Sequence, residues 1–196
     1  MTMNDRDFVN ELIAGEPEAF ERLIETYQDQ VLNTCYRFVQ NHQDAEDVAQ
    51  EVFIEVIKSI EGFRGDAKLS TWIYRVATTR ALDFVRKKNR KKRFGHLKRM
   101  LGFQDDEGRR SFEPEDSQQP VEDLERQERA TILQQAVASL PDNQRAAITL
   151  NQYEGLSCTE VADIMGTTVS AVESLLFRAK KNLRKQLYHY YDEIIE

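Results

Sequence analysis

The sequence predicts an all-α protein: two small helical domains joined by a flexible acidic linker, the second containing a helix-turn-helix. Three observations carry this. Glycine and proline are sparse, 8 and 4 among 196 residues. Apolar residues recur at helical spacing over most of the chain. The pattern breaks over 95–123, where Gly102, Gly108, Pro114 and Pro120 fall among Asp105, Asp106, Glu107, Glu113, Glu115 and Asp116. That composition suits a flexible linker, so the domains are drawn at 1–94 and 124–196 and are expected to move independently.

The formal charge of −7 argues weakly against nucleic acid, but its distribution matters more. Acid concentrates before Ile60 and between Gln104 and Glu128, base from Arg86 to Arg99 and from Arg178 to Lys185. Segregation of this kind suggests acidic surfaces for a protein partner and basic surfaces for nucleic acid. Cys35 and Cys158 belong to no CxxC or Cys/His cluster, so neither metal nor cofactor is expected and both thiols read as reduced packing residues. The start, MTMNDRDF, lacks a signal-peptide pattern, and no apolar run approaches spanning length, so a cytoplasmic location is expected.

In the first domain, Phe8 to Val39 reads as helices broken at Gly15-Glu16-Pro17, with Pro17 suited to a first turn. Phe20, Leu23, Ile24 and Tyr27 form an apolar stripe, continued by Val31, Leu32, Cys35, Phe38 and Val39. The next helix, with Asp44 as a good N-cap, buries Val48, Ala49, Val52, Phe53, Val56 and Ile57. Asp47, Gln50, Glu51 and Ile54 lie on its other side. They read as a solvated acidic face or as a docking surface for a basic partner. After Gly62 comes the loop Phe63-Arg64-Gly65-Asp66-Ala67-Lys68, then a helix capped by Ser70 or Thr71 with Ile73, Val76 and Ala77 inward. Trp72 and Tyr74 stand near Arg75, Arg80 and Arg86. Aromatic rings among cations suit unstacked bases and a phosphate backbone, although a lone tryptophan is often simply core. The run from Arg86 to Arg93 is dense enough to read as phosphate contact.

In the second domain, a helix over 124–140 is followed by one opened by Pro141 and Asp142. Ile132, Leu133, Val137 and Leu140 make one stripe, Ala147, Ile148 and Leu150 the next. Ser157 with Glu160, and Ser170 with Glu173, have capping-box spacing. They predict a short helix after Ser157 and a longer one after Ser170, with Gly166 ending the first. On the longer helix Val172, Leu176, Ala179 and Leu183 share one side at about 100° per residue. Ser170, Ser174, Phe177 and Lys181 face away, flanked by Arg178 and Arg184. A capped short helix, a glycine turn and a second helix with small polar residues at its start fit a major-groove reader. The tail LYHYYDEIIE extends the helix or frays.

These residues resemble the extracytoplasmic-function (ECF) sigma factors, the two-domain initiation subunits of bacterial RNA polymerase. The resemblance rests on DAEDVAQEVF (44–53), FRGDAKLSTWIYRVATTRALD (63–83) and LPDNQRAAITLNQYEGLSCTEVADIMGTTVSAVESLLFRAKKNL (140–183), in order and covering nearly the whole chain. It implies that 1–94 is sigma region 2 and 124–196 sigma region 4. Asp44, Asp47, Gln50, Glu51 and Ile54 would grip core RNA polymerase. Phe63, Arg64, Asp66 and Lys68 would hold a flipped base of the promoter −10 element, with Trp72, Arg75, Arg80 and Arg86 bordering the melted strand. Ser170, Ser174, Phe177, Arg178, Lys181 and Arg184 would read the −35 element. Glu173 stands where many members carry a basic residue. The linker would thread toward the active-site and RNA-exit channels. An anti-sigma factor, often membrane-bound, is implied as a partner, and no small-molecule substrate is. An enzyme is not expected, because no glycine-rich phosphate loop or nucleophile–base motif is present. A stand-alone helix-turn-helix regulator would explain 157–187 but not the Trp72 helix and its loop.

Overall fold

The computed structural model describes residues 3–65, 67–100 and 121–195, and all are helical apart from short connections. Helices α1 (Met3–Ala14), α2 (Pro17–Val39), α3 (His42–Ser59) and α4 (Leu69–Met100) form the first domain, with a single 3₁₀ turn at Ile60–Gly62 after α3. Helices α5 (Val121–Ala138), α6 (Asp142–Ile148), α7 (Cys158–Met165) and α8 (Val169–Ile195) form the second, with a π-helical turn at Thr149–Tyr153. Residues 101–120, the centre of the expected linker, lie outside the described residues. The helices on either side run past the boundaries drawn from sequence, α4 to Met100 and α5 from Val121.

The first core is built where α2, α3 and α4 pack together. Leu23, Val31, Cys35 and Phe38 of α2 meet Val48, Val52 and Val56 of α3 and Ile73, Ala77 and Ala81 of α4, with Leu12 of α1 closing one end. Burial pushes the Cys35 thiol up to about 12, so it is an inert packing group. In the predicted stripe, Ile24 faces solvent and Phe53 is half-buried. The second core joins Val137 and Leu140, Ile148 and Leu150, Val161, Ala162 and Ile164, and the α8 stripe Val172, Leu176, Ala179 and Leu183. That stripe is buried as the helical period requires, whereas Leu133 of the α5 stripe is exposed.

Three helix starts differ from the sequence expectation. Asn41, not Asp44, caps α3: its side chain accepts the Asp44 N–H at 2.9 Å, which leaves Asp44 in the first turn. Helix α4 starts at Leu69, so Ser70 and Thr71 lie inside it. Thr168 caps α8 by accepting the Ala171 N–H at 3.2 Å, and Ser170 is already helical, so no Ser170–Glu173 capping box forms. At α3 and α8 more than one nearby residue has capping chemistry, and packing of the apolar stripe selects among them.

The domains do not stand apart. Ala146 of α6 is part of the first core, and Tyr74 of α4 is part of the second. Polar contacts run the length of the junction, as described below.

Candidate functional site

Three surfaces carry the residues singled out from sequence. On α3, Asp47, Gln50, Glu51 and Ile54 are all exposed, Ile54 at 51%. They share one outward strip because the opposite side is fixed inward by Ala45, Val48, Ala49, Val52 and Val56. Asp44 stands apart from them: it is half-buried and pairs with Lys88 of α4. The strip is therefore an acidic surface with one apolar side chain in it, suited to a basic partner with a small apolar contact.

The second surface is the loop between α3 and α4. Its residues line a pocket of about 400 Å³ bounded by Phe63, Arg64, Gly65, Ala67, Thr71, Trp72 and Arg75. Trp72 is half-buried and its ring lies 5.3 Å from that of Phe63, tilted by 47°. The tryptophan thus packs on Phe63 and lines the pocket at once. Arg64 and Lys68 are exposed at the rim, and Asp66 lies outside the described residues. Tyr74 does not join this surface. It is 5% exposed, accepts from Gln30 and donates to Glu154 at 3.3 Å, and burial beside that carboxylate raises it to about 12. Arg80 pairs with Glu55 of α3 at 2.5 Å and lies farther along the helix from the pocket. Arg86 is exposed but held by Asp142 at 2.8 Å and Asp83 at 3.2 Å.

The third surface is α8, positioned by α7. The capping box at Ser157 is complete: Ser157 Oγ accepts the Glu160 N–H at 3.2 Å, and Glu160 Oε2 accepts the Ser157 N–H at 3.0 Å. The Ser157 N–H and hydroxyl, both donating to Glu160 Oε2, hold that carboxyl below its ordinary range. Gly166 closes α7 at φ 63°, a conformation that costs a residue with a Cβ. The turn leaves Ser170, Ser174, Phe177, Arg178, Lys181 and Arg184 all exposed, Phe177 at 71%. That large aromatic ring, open to water on a face of hydroxyls and cations, belongs to neither hydrophobic core among the described residues.

Sequence reasoning missed a set of residues at the junction. Glu154 is largely buried against Tyr74 and Arg37, with Arg37 Nε 3.4 Å from Glu154 Oε1, and burial outweighs the guanidinium to raise its carboxyl. Arg37 also lies over the Tyr153 ring at 4.4 Å. Arg145 is 3% exposed, bonded to Asp142 at 3.0 Å, and lies 5.9 Å from the Phe38 ring. No periodicity or motif marks these residues, because their partners are distant in sequence.

Two family models match the chain. Residues 23–91 match the sigma-70 region 2 model and residues 130–183 the sigma-70 region 4 model. The chain is 32% identical over 190 residues to the RNA polymerase sigma-H factor of Pseudomonas aeruginosa, covering 93% of each. It is 32% identical to the ECF RNA polymerase sigma factor SigW of Bacillus subtilis, covering 95% of this chain and 98% of that one. It shares a fold with CnrH, seen in complex with the cytosolic domain of CnrY, at a TM-score of 0.65, 20% identity and coverage of 94% and 97%. It shares a fold too with the sigma factor RpoE of Bartonella quintana, seen with the anti-sigma factor NepR, at 0.55, 19%, 86% and 96%. An exposed acidic strip, an aromatic pocket and a capped helix-turn-helix occur here along a chain that matches sigma regions 2 and 4 in order, and the chain belongs to the ECF sigma factors of RNA polymerase.

Proposed function

We propose that the α3 strip, the Trp72 pocket and the α8 face perform the separate tasks of a promoter-specificity subunit. Asp47, Gln50, Glu51 and Ile54 dock on core RNA polymerase, with Asp44 steadying the helix through Lys88 rather than touching the partner. Phe63 and Trp72 floor a pocket for one unstacked base of the −10 element. Arg64, Asp66, Lys68, Arg75, Arg80 and Arg86 border the strand. Ser170, Ser174, Phe177, Arg178, Lys181 and Arg184 read the −35 duplex. The Trp72 pocket suits a single strand because stacking on an aromatic floor needs an exposed base face. The α8 face suits duplex because a helix presented N-terminus first fits a major groove.

The chemistry of initiation belongs to the polymerase, and this chain supplies position. Its place of action is the cytoplasm, consistent with the finding that no helix among the described residues is long and apolar enough to cross a membrane. The B. quintana factor of this fold is held by an anti-sigma factor, and an anti-sigma partner, membrane-bound forms included, is part of the proposal.

The observation that carries the reading is the aromatic-floored pocket on the first domain. A stand-alone regulator would have no use for it. The test is run-off transcription with core polymerase on genomic fragments. Discrete transcripts that require this chain support the reading, and the absence of any transcript that depends on this chain together with core polymerase refutes it.

A further inference from the structure

Between Val169 and Tyr191, α8 carries a single acidic residue, Glu173, on a stretch that also holds Arg178, Lys180, Lys181, Arg184 and Lys185. All six of these charged side chains are exposed. A lone carboxylate near the leading end of a reading helix faces a polyanion, so its presence there needs a physical reason.

Three ordinary reasons do not apply. The first is capping. Thr168 caps α8, and the third helical place, which a capping box fills with Glu or Gln, holds Ala171. The second is the helix dipole. Its pull on an anion falls off within the first turn, and Glu173 is the fifth helical residue. The third is an ion pair along the helix. Leu176 and Phe177 stand three and four places ahead, Val169 and Ser170 the same distance behind, so no cation has the required spacing. Among the described residues Glu173 makes no hydrogen bond and no ion pair. Other acids near the proposed contact surfaces are engaged: Asp44 with Lys88, Glu55 with Arg80, and Glu160 with the Ser157 cap.

Its neighbours point to what it meets. At about 100° per residue Glu173 lies beside Ser170, one turn before it, and Phe177, one turn after, both exposed. A recognition helix brings its N-terminal turns nearest the base edges. An ionised carboxylate accepts hydrogen bonds and donates none. In the major groove guanine offers N7 and O6 and thymine O4, all acceptors. Adenine sets its N7 acceptor beside its amino donor, and cytosine offers the N4 amino group alone. Cytosine is therefore the base that meets a carboxylate with a donor and no acceptor of its own.

We infer that Glu173 is a specificity-determining residue of the α8 face: its carboxylate accepts from the N4 amino group of one cytosine in the upstream duplex and repels the acceptors of guanine and thymine at that position. This rests on the assignment of α8 to the −35 duplex. Where Ser174 and Phe177 select by attraction, Glu173 adds rejection of the wrong base.

The test uses holoenzyme, the full chain with core polymerase, on a promoter found by run-off transcription whose upstream element has been randomised. Templates that yield transcripts are sequenced. Wild type, Glu173→Ala, Glu173→Gln and Ser174→Ala are compared, each first shown to be folded by circular dichroism. Wild type should favour cytosine at one upstream position about tenfold, in the range of a single mismatched pair. Glu173→Ala should accept all four bases there and keep its other preferences, with templates lacking the cytosine gaining most. Glu173→Gln should move the preference to adenine, whose N6 and N7 match the acceptor and donor of an amide. Ser174→Ala should change a different position. Glu173→Ala keeping the wild-type preference at every position would overturn the inference. So would a gain on all templates alike with a steeper salt dependence, which is what a carboxylate beside phosphate gives. A wild type with no upstream preference would overturn the assignment of α8 itself. A preference that responds to Ser174→Ala and not to either Glu173 variant leaves that assignment standing and removes only the role of Glu173.

Discussion

Replacing Ser157 by alanine should cost the second domain about 1 kcal/mol, the usual loss for an N-cap hydroxyl. The structure places the value mid-range. Ser157 Oγ accepts the Glu160 N–H at 3.2 Å, a little long, and the exposed site lets water replace part of what is lost. Glu160 keeps its bond to the Ser157 N–H at 3.0 Å, which needs no hydroxyl. Urea unfolding followed by circular dichroism should show a lower midpoint with an unchanged slope. Acid supplies a second check with a defined sign. The folded Glu160 carboxyl lies below its ordinary value of 4.5. Its contribution is therefore present above that value and is lost as pH falls through the depressed one. The cost of Glu160→Ala, measured the same way, should be full at neutral pH and shrink on acidification across that window. A Ser157→Ala chain as stable as wild type, or a Glu160→Ala cost that grows in acid, would show that the box does not hold α7.

The other predictions concern function. Asp47→Lys with Glu51→Lys should lower affinity for core polymerase in a competition assay while the melting temperature stays within a few degrees, because both side chains are exposed. Phe177→Ala or Ser174→Ala should change which duplexes a randomised library yields. Lys181→Ala or Arg184→Ala should weaken all of them alike and reduce the salt slope by about one counterion, whereas Arg178→Ala falls in either class. If Lys181→Ala reshapes the preferred sequence and Phe177→Ala does not, α8 enters the groove rotated from this face. Glu154 gives a pH dependence of its own. Burial raises its carboxyl above the ordinary 4.5 against the opposing pull of Arg37, Tyr74 and Thr34, so the packed arrangement of the two domains binds the proton more tightly than a separated one. Domain packing should strengthen as pH falls from neutral towards that value. Acrylamide quenching of Trp72 should then decline in wild type and stay level in E154Q.

How much of this was legible in the sequence depended on distance along the chain. The capping box at Ser157 and the glycine turn at Gly166 are set by residues within a few positions, and both formed as expected. The α8 stripe was legible because one face is buried, and a burial period of 3.6 leaves a mark in composition. The caps at Asn41 and Thr168 were misplaced by a few residues, since neighbours with equal capping chemistry competed and tertiary packing chose. Trp72 could not be assigned to core or pocket from sequence because it is half-buried and does both. The junction was illegible altogether. Tyr74 and Glu154 lie 80 positions apart, and an acidic, glycine- and proline-interrupted linker pointed to independent domains. Nothing in that composition reveals that Arg75 fits the end of α7, where its Nε donates to the Ile164 carbonyl.

In this reading one chain places a melted strand on its first domain and a duplex on its second. Photo-crosslinking separates the two, with a reactive residue at Phe63 and, separately, at Phe177, in holoenzyme on a promoter found by run-off transcription. Position 63 should form adducts with a single strand near the start site once the DNA opens, and position 177 with duplex farther upstream whether or not it opens. Adducts from both positions to the same closed duplex, or none from position 63 at any stage, would contradict it.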